Sequence, residues 1–275
     1  MSLDQPSDPG ADESADFLVG LRHLTACEPL RWLARGCGDF LRAPAIGLCF
    51  GACFVAMGWA LLTVFEYAPA YLLWLSAGFL LVGPFLCMGL YHVSEQLERG
   101  ERPRLLDAAL AWRRKLSTLA IFGLVLLVIE MLWARASLVV FALSVQGNMP
   151  SFAGSLMSLL DPRNIDFVLA WLALGGVFAT LIFSVSVVSI PMILDRQTDA
   201  ITAGLTSIRL VLGQPVLLLF WAAIIATLVL LAMLPGFAGL LVVAPILGHA
   251  SWHAYRAAVE PSSPGSTPAA AAGSA

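Results

Sequence analysis

The residues best suited to chemistry are two histidines near the C-terminal end of the chain. His249 and His253 lie four positions apart in the segment GHASWHAYRAAVE, so on a helix both imidazoles project from one face. Two imidazoles in this arrangement could bind one metal ion, with a carboxylate from a neighbouring helix as a further ligand. Histidines at a membrane boundary also commonly span the apolar and wet zones without binding anything, and this alternative stays open.

The two histidines belong to a pattern that occurs three times. Three apolar stretches each contain one proline, and polar residues follow four or eight positions later: the prolines are Pro84, Pro191 and Pro245. Proline kinks a helix, and positions i, i+4 and i+8 share one helical face. The shared register therefore predicts that three kinked helices bring one polar cluster together, formed by His92, Asp195, Asp199, His249 and His253.

Haem binding is disfavoured by the same spacing. A b-type haem held by two histidines needs its ligands on opposite sides of the ring, whereas His249 and His253 share a helical face. A pair formed by His92 and His253 remains geometrically possible. The chain has 4 histidines in all, and its 5 cysteines form no Cys-x-x-Cys or Cys-x-x-Cys-His motif, so neither a zinc ribbon nor a c-type haem site is indicated. We expect no cofactor, and a metal ion at His249 and His253 is the alternative.

The elements that must position these residues are membrane helices. The chain has 275 residues, of which 59% are hydrophobic and 12% charged, with a mean hydropathy of +0.86. A soluble domain could not bury so much apolar surface. A hydrocarbon core about 30 Å thick needs roughly 20 apolar residues per helix. The sequence therefore predicts an all-α, polytopic membrane helical bundle of six transmembrane helices, arranged as three hairpins with proline-kinked even-numbered helices: 43–65, 70–91, 117 towards 145, 167–194, 215–234 and 236–255.

The distribution of basic residues predicts the orientation in the membrane. Of the 15 Lys and Arg residues, only Arg135 and Arg163 fall on the second predicted side. Short loops rich in Lys and Arg remain in the cytoplasm. We therefore expect both termini and the loops at 92–116 and 194–214 to be cytoplasmic. The net charge of −3 and the absence of a basic patch beyond this asymmetry indicate no nucleic-acid partner.

Polar, low-complexity sequence flanks the predicted membrane domain, which spans residues 29–260. An acidic tract over 1–28 and a Pro/Ser/Ala-rich tract over 261–275 are both predicted to be disordered tails. The membrane domain begins with EPLRWLARGCGDFLRAP, in which arginines alternate with apolar residues. This pattern is typical of an interfacial helix, with Trp32 anchored at the bilayer surface, although Gly36 and Gly38 weaken the prediction of a helix.

Five segments of the chain carry a resemblance to a known family. They are WLARGCGDFLRAP, GFLLVGPFLCMGLYHVSEQLERGERP, LAWRRK, SIPMILDRQTDAITAGLTS and GHASWHAYRAAVE. Over most of residues 29–260, the sequence resembles the bacterial integral membrane proteins grouped as domain of unknown function 2189. The resemblance implies a six-helix protein of the bacterial inner membrane with no assigned activity. Relatives are sometimes labelled cytochrome c oxidase subunit I.

Two functions fit these features. The first is a noncatalytic interaction or assembly protein, which would pack small residues such as Gly175, Gly176 and Ala179 against other inner-membrane proteins. The second is a small-solute or ion transporter, in which the predicted polar cluster lines a cytoplasm-facing vestibule. The sequence favours the first slightly. An enzyme is less favoured, because no nucleophile elbow, phosphate loop or zinc-protease motif is present. A metal- or haem-binding respiratory component is also less favoured. The lipid bilayer is an expected partner in every case.

Overall fold

The computed structural model describes residues 19–68, 71–144, 165–196 and 198–260. Over these residues the chain is almost entirely helical. The helices, in chain order, are α1 (Glu28–Arg42), α2 (Pro44–Tyr67), α3 (Leu72–Glu98), α4 (Leu105–Leu110) with a following 3₁₀ turn (Ala111–Lys115), α5 (Leu116–Ser144), α6 (Ile165–Ser186), α7 (Ser189–Asp195), α8 (Ala200–Gly213), α9 (Pro215–Met233) and α10 (Leu240–Ala258).

Four helical stretches in the described part of the chain are long and apolar enough to cross a membrane. They are Pro44–Tyr67, Leu116–Val140, Val168–Asp195 and Pro215–Met233. The predicted all-helical membrane bundle is therefore confirmed. These four correspond to the first, third, fourth and fifth predicted spans. The second and sixth predicted spans are the helices α3 and α10, and the total of six spans stays a prediction.

The three prolines occupy different positions in their helices. Pro84 and Pro245 lie within α3 and α10, whereas Pro191 is the third residue of the short helix α7. Between α6 and α7 the chain makes a turn at Val187 and Val188, which places Pro191 in a first turn, where its missing N–H costs little. The predicted fourth span is thus two helices. The kinks at Pro84 and Pro245 and the three-hairpin arrangement stay predictions.

A side chain from α8 satisfies backbone groups at the break between α6 and α7. The hydroxyl of Ser207 donates to the carbonyl of Ser184 at 2.7 Å and accepts from the N–H of Val188 at 3.5 Å. The hydroxyl of Ser189 donates to the carbonyl of Ala203 at 3.0 Å. Backbone groups released by a helix break inside a membrane bundle need such partners. The hydroxyls of Ser189 and Ser207 therefore join α8 to the broken helix.

The C-terminal helix α10 lies at the centre of the bundle, where it packs against α1, α2, α3, α7 and α9. Its second half is almost entirely buried by protein, including His249, Trp252 and Tyr255. Glycines allow the close approach of its neighbours. A Cβ on Gly36 of α1 would lie 2.6 Å from the carbonyl oxygen of Ile246. A Cβ on Gly51 of α2 would collide with the carbonyl oxygen of Leu241.

The lead-in segment forms the predicted helix, α1, but Trp32 does not anchor it at the bilayer surface. The side chain of Trp32 is fully buried and meets the ring of Trp221 edge-on, with 5.6 Å between ring centroids. Gly36 lies on the same buried face. The glycine that weakened the prediction of a helix is therefore explained by packing, because only a residue without Cβ fits between α1 and α10.

The two ends of the described chain lie together. Leu21 forms a β-bridge with Val259, and the N–H of Arg22 donates to the carbonyl of Ala258 at 2.9 Å. The side chain of Gln214 accepts from the N–H of Leu24 and donates to the carbonyl of Arg22. Part of the segment that the sequence assigned to a disordered tail, residues 20–24, thus pairs with Gln214 just after α8 and with the end of α10. The remaining predicted tails, 1–18 and 261–275, lie outside the described residues.

Candidate functional site

A polar pocket of about 1010 Å³ opens between α3, the segment formed by α4 and the 3₁₀ turn, the start of α5, α7 and the loop before α8. Charged side chains of both signs line it, together with His92. The charged lining residues are Glu95, Arg99, Asp107, Lys115, Asp195, Arg196 and Asp199. We call this site the polar pocket.

Several charges of the polar pocket are already engaged. Glu95 accepts from Arg99, and it lies 3.1 Å from the Nδ1 atom of His92. Lys115 donates to the carbonyl of Arg196 at 2.8 Å. These contacts join α3, the 3₁₀ turn and α7, and they hold the wall of the pocket in a defined shape.

Asp199 has a structural role as the N-cap of α8. Its carboxylate accepts from the backbone N–H groups of Ile201 and Thr202, each at 3.0 Å. The pKa of Asp199 is lowered, mainly by hydrogen bonds from the side chain and the N–H of Thr202. Burial acts in the opposite direction, and the hydrogen bond from the N–H of Ile201 adds a smaller lowering effect. This is the usual chemistry of an aspartate at a helix N-terminus.

Other polar groups of the pocket wall have hydrogen-bonding capacity that the described residues do not use. The carboxamide oxygen of Gln96 is buried and has no hydrogen-bond partner in the part of the chain that the structure describes. Lys115 uses one of its three N–H donors on Arg196. Asp107 is exposed at the rim. The pocket can therefore both accept and donate hydrogen bonds.

Asp195 joins the polar pocket to the buried side of α10. Its carboxylate accepts from the hydroxyl of Tyr255 at 2.6 Å, and Arg196 donates to the same hydroxyl at 3.0 Å. Arg256 lies 3.8 Å from Asp195 and 3.4 Å from Glu98. The side chains of α10 thus connect the pocket wall to α3.

His253 is held between two carboxylates. Its Nε2 atom lies 2.8 Å from Asp39 of α1, and its Nδ1 atom lies 3.4 Å from Glu98 of α3. The side chains of His253 and Asp39 are 8% and 6% exposed. Burial by itself raises the pKa of Asp39, but the hydrogen bond and the charge of His253, with smaller effects of Ser94 and His249, lower it overall.

His249 is fully buried, and its Nδ1 atom lies 2.8 Å from the hydroxyl of Ser94. This contact joins α10 to α3, one turn before Glu98. Both histidines therefore face protein, and the alternative in which they bridge lipid and water at the membrane boundary does not match their burial.

The five residues of the predicted cluster fall into two groups. His92, Asp195 and Asp199 line the polar pocket, whereas His249 and His253 lie in the interior with Ser94, Asp39 and Glu98. Arg256 and Glu98 bridge the groups, since they connect Asp195 to His253. Among the described residues, no group of three or more His, Cys, Asp or Glu side chains is arranged to hold a metal ion.

Sequence reasoning missed Asp39, although a signal for it exists. Trp32, Gly36, Asp39 and Phe40 follow one another at helical spacing, and all four are buried. An acidic residue on the apolar face of an amphipathic helix needs a partner, because an unpaired buried charge is costly. The pattern of α1 could have indicated a buried ion pair, but not the identity of its partner.

Comparison with known proteins gives one match. The family model described as Predicted integral membrane protein (DUF2189) matches residues 72–195, and the family resemblance is confirmed there. The matched region includes α3, α4 and α7, which form much of the polar pocket. No curated protein and no solved structure matches the chain. Bacterial origin, the inner membrane and the label cytochrome c oxidase subunit I stay predictions.

Proposed function

We propose that this multi-pass integral membrane protein binds a small zwitterionic or uncharged polar solute in the polar pocket, as the cytoplasm-facing vestibule of a carrier. The observation that carries the proposal is a pocket of about 1010 Å³ lined by carboxylates and cations from α3, the segment formed by α4 and the 3₁₀ turn, α7 and the loop before α8. A packed structural ion network would leave no such space. The geometry therefore favours the transporter over the assembly protein that the sequence favoured.

The mixture of charges indicates the class of solute. A simple anion would meet Glu95, Asp107 and Asp195, and a simple cation would meet Arg99, Lys115 and Arg196, so either would face like charges. A solute with both donors and acceptors can bond to the remaining donors of Lys115 and, once the side chain of Gln96 turns towards the pocket, to its unpaired oxygen. Free polar groups in a concave site are the usual means of fixing a small ligand.

Gln96 provides a test that separates binding from folding. Its carboxamide oxygen has no hydrogen-bond partner among the described residues, so Gln96→Leu removes an unsatisfied acceptor and should change stability little. Arg209→Gln, at an exposed position of α8, serves as a control. We would measure thermal shifts and uptake into vesicles with amino acids, sugars and inorganic phosphate as candidate solutes.

The expected result is that amino-acid or sugar solutes bind and enter vesicles, and that Gln96→Leu weakens binding about fivefold, the value of one ordinary hydrogen bond. Arg209→Gln should behave as wild type. Binding of phosphate alone, or equal binding by wild type and Gln96→Leu for every solute, would contradict the proposed ligand class. No binding or uptake of any solute would contradict the carrier itself.

Assembly of a membrane complex is the second candidate, and it has its own observation. Gly176 and Ala179 of α6 are exposed, and a Cβ on Gly176 would meet no atom within 4 Å. Small residues let a partner helix approach closely in a membrane. If this face binds a partner, Gly176→Leu should remove a copurifying membrane protein, while solute binding by the polar pocket stays unchanged.

A further inference from the structure

A second, apolar pocket of about 270 Å³ lies between α2, α3 and the short helix α4. We call it the apolar crevice. Its walls include Cys49 and Cys53 of α2, Phe85 and Leu86 of α3, and Leu106 and Trp112 from α4 and the 3₁₀ turn.

The crevice has firmly packed walls. Ala108 of α4 is fully buried, and its carbonyl oxygen would lie 3.0 Å from a Cβ on Gly89 of α3. The indole of Trp112 donates to the carbonyl of Ala109 at 2.8 Å and meets the ring of Phe85 edge-on, with 5.6 Å between centroids. Close packing of α4 on α3 therefore defines the crevice.

Exposed apolar and thiol side chains line the open side of the crevice. Cys49 and Cys53 are exposed on α2, one of the helices long and apolar enough to span a membrane. Leu106 of α4 is 74% exposed. Acyl chains are the medium that contacts such a surface in a membrane. An apolar cavity of roughly 150 Å³ accommodates benzene, so by proportion the crevice takes about ten carbon atoms of a chain.

Three arginines lie close in the sequence to residues that line the crevice. Arg104 immediately precedes Leu105, which lines the crevice, Arg102 lies two residues before Arg104, and Arg113 follows Trp112. All three arginines are exposed. Arginines at the edge of a membrane protein attract anionic lipid headgroups, and a bidentate guanidinium suits a phosphate group.

We propose that the apolar crevice binds one acyl chain of an anionic phospholipid, and that Arg102 and Arg104 hold the phosphate of its headgroup. The inference does not depend on the function of the polar pocket. It assigns the side of α4 that lines the crevice, and the flanking arginines, which do not line the polar pocket, to a specific lipid site.

The test uses the full-length protein, purified in detergent with equal amounts of phosphatidylglycerol and phosphatidylcholine, and native mass spectrometry to count retained lipids. The wild-type protein should retain more phosphatidylglycerol than phosphatidylcholine. Arg102→Gln with Arg104→Gln should reduce that preference about fivefold per arginine. Ala109→Trp and Cys53→Trp fill the crevice from two different helices, and each should reduce retention of both lipids.

Leu205→Trp and Arg209→Gln, at exposed positions of α8, are the matched controls. They should leave both the preference for phosphatidylglycerol and the retention of the two lipids unchanged. Circular dichroism and size exclusion report whether each variant folds, and the arginine variant tests the proposal even if both tryptophan variants misfold. An unchanged lipid preference in the arginine variant would overturn the headgroup assignment. Unchanged retention in a folded tryptophan variant would overturn the crevice as the acyl site.

Discussion

The buried pair of Asp39 and His253 should contribute strongly to the stability of the bundle. Asp39→Ala removes the carboxylate oxygen 2.8 Å from Nε2 of His253 and leaves the imidazole in the interior. Removal of one partner from a buried ion pair costs roughly 3–5 kcal/mol. Glu98 remains 3.4 Å from the Nδ1 atom, so we expect the lower end, about 3 kcal/mol. For a chain of this size that is a decrease of about 6–12 °C in Tm.

Thermal unfolding in one detergent measures this effect. The matched control is Glu101→Ala, at an exposed position. This control should change Tm by no more than about 2 °C. The double variant Asp39→Ala, His253→Ala should lose less stability than the sum of the two single variants, because residues in direct contact are coupled. Additive single effects, or an Asp39→Ala variant as stable as the control, would refute the pairing.

The same pair has a predictable pH dependence. The pKa of Asp39 is lowered in the folded protein, so its stabilising contribution is complete above the ordinary aspartate pKa, about 3.9, and is lost as the pH falls through the lowered value. Asp39→Asn should therefore be less stable than wild type at neutral pH, and the difference should shrink in acid. A difference that stays constant from neutral pH to about pH 3 would contradict the ionised form of Asp39.

Three further predictions address packing, capping and topology. Gly36→Ala should cost about 1–3 kcal/mol because its Cβ would collide with α10, whereas Gly38→Ala, with nothing within 4 Å, should be neutral or slightly stabilising in the same melting assay. Asp199→Ala should lower the free energy of unfolding by about 1 kcal/mol through loss of the α8 N-cap, and Asp199→Asn should restore most of it. A periplasmic reporter should be active after Pro69 and silent at Gly265, and the reverse pattern would invert the proposed orientation.

The sequence predicted the helices well because their signal is local. A run of about 20 apolar residues has few alternatives in a membrane, and the predicted first and fifth spans, 43–65 and 215–234, agree closely with α2 and α9. The break before Pro191 was less predictable. The turn at Val187 and Val188 depends on Ser207 of α8, which supplies the hydrogen bonds, and that partner is not visible in a local pattern.

The candidate site was predictable in part. The proline register identified His92, Asp195 and Asp199, which do line one pocket, because each lies just beyond an apolar stretch near the same end of the bundle. It assigned a similar depth to the polar residues of all three stretches. The register contained no information about which helix would be central. The position of a helix in the bundle determines whether its polar stripe faces a pocket or the interior.

The surroundings of His249 and His253 follow from the packing of α1 on α10. Gly36 allows α1 to approach the carbonyl of Ile246 closely, and Asp39, almost one helical turn later on the same buried face, then reaches His253. The two residues are 214 positions apart in the chain, so no helical spacing within α10 could indicate the pairing. A helix whose second half is rich in polar residues can occupy the centre of a membrane bundle because these long-range partners offset the cost of burying it.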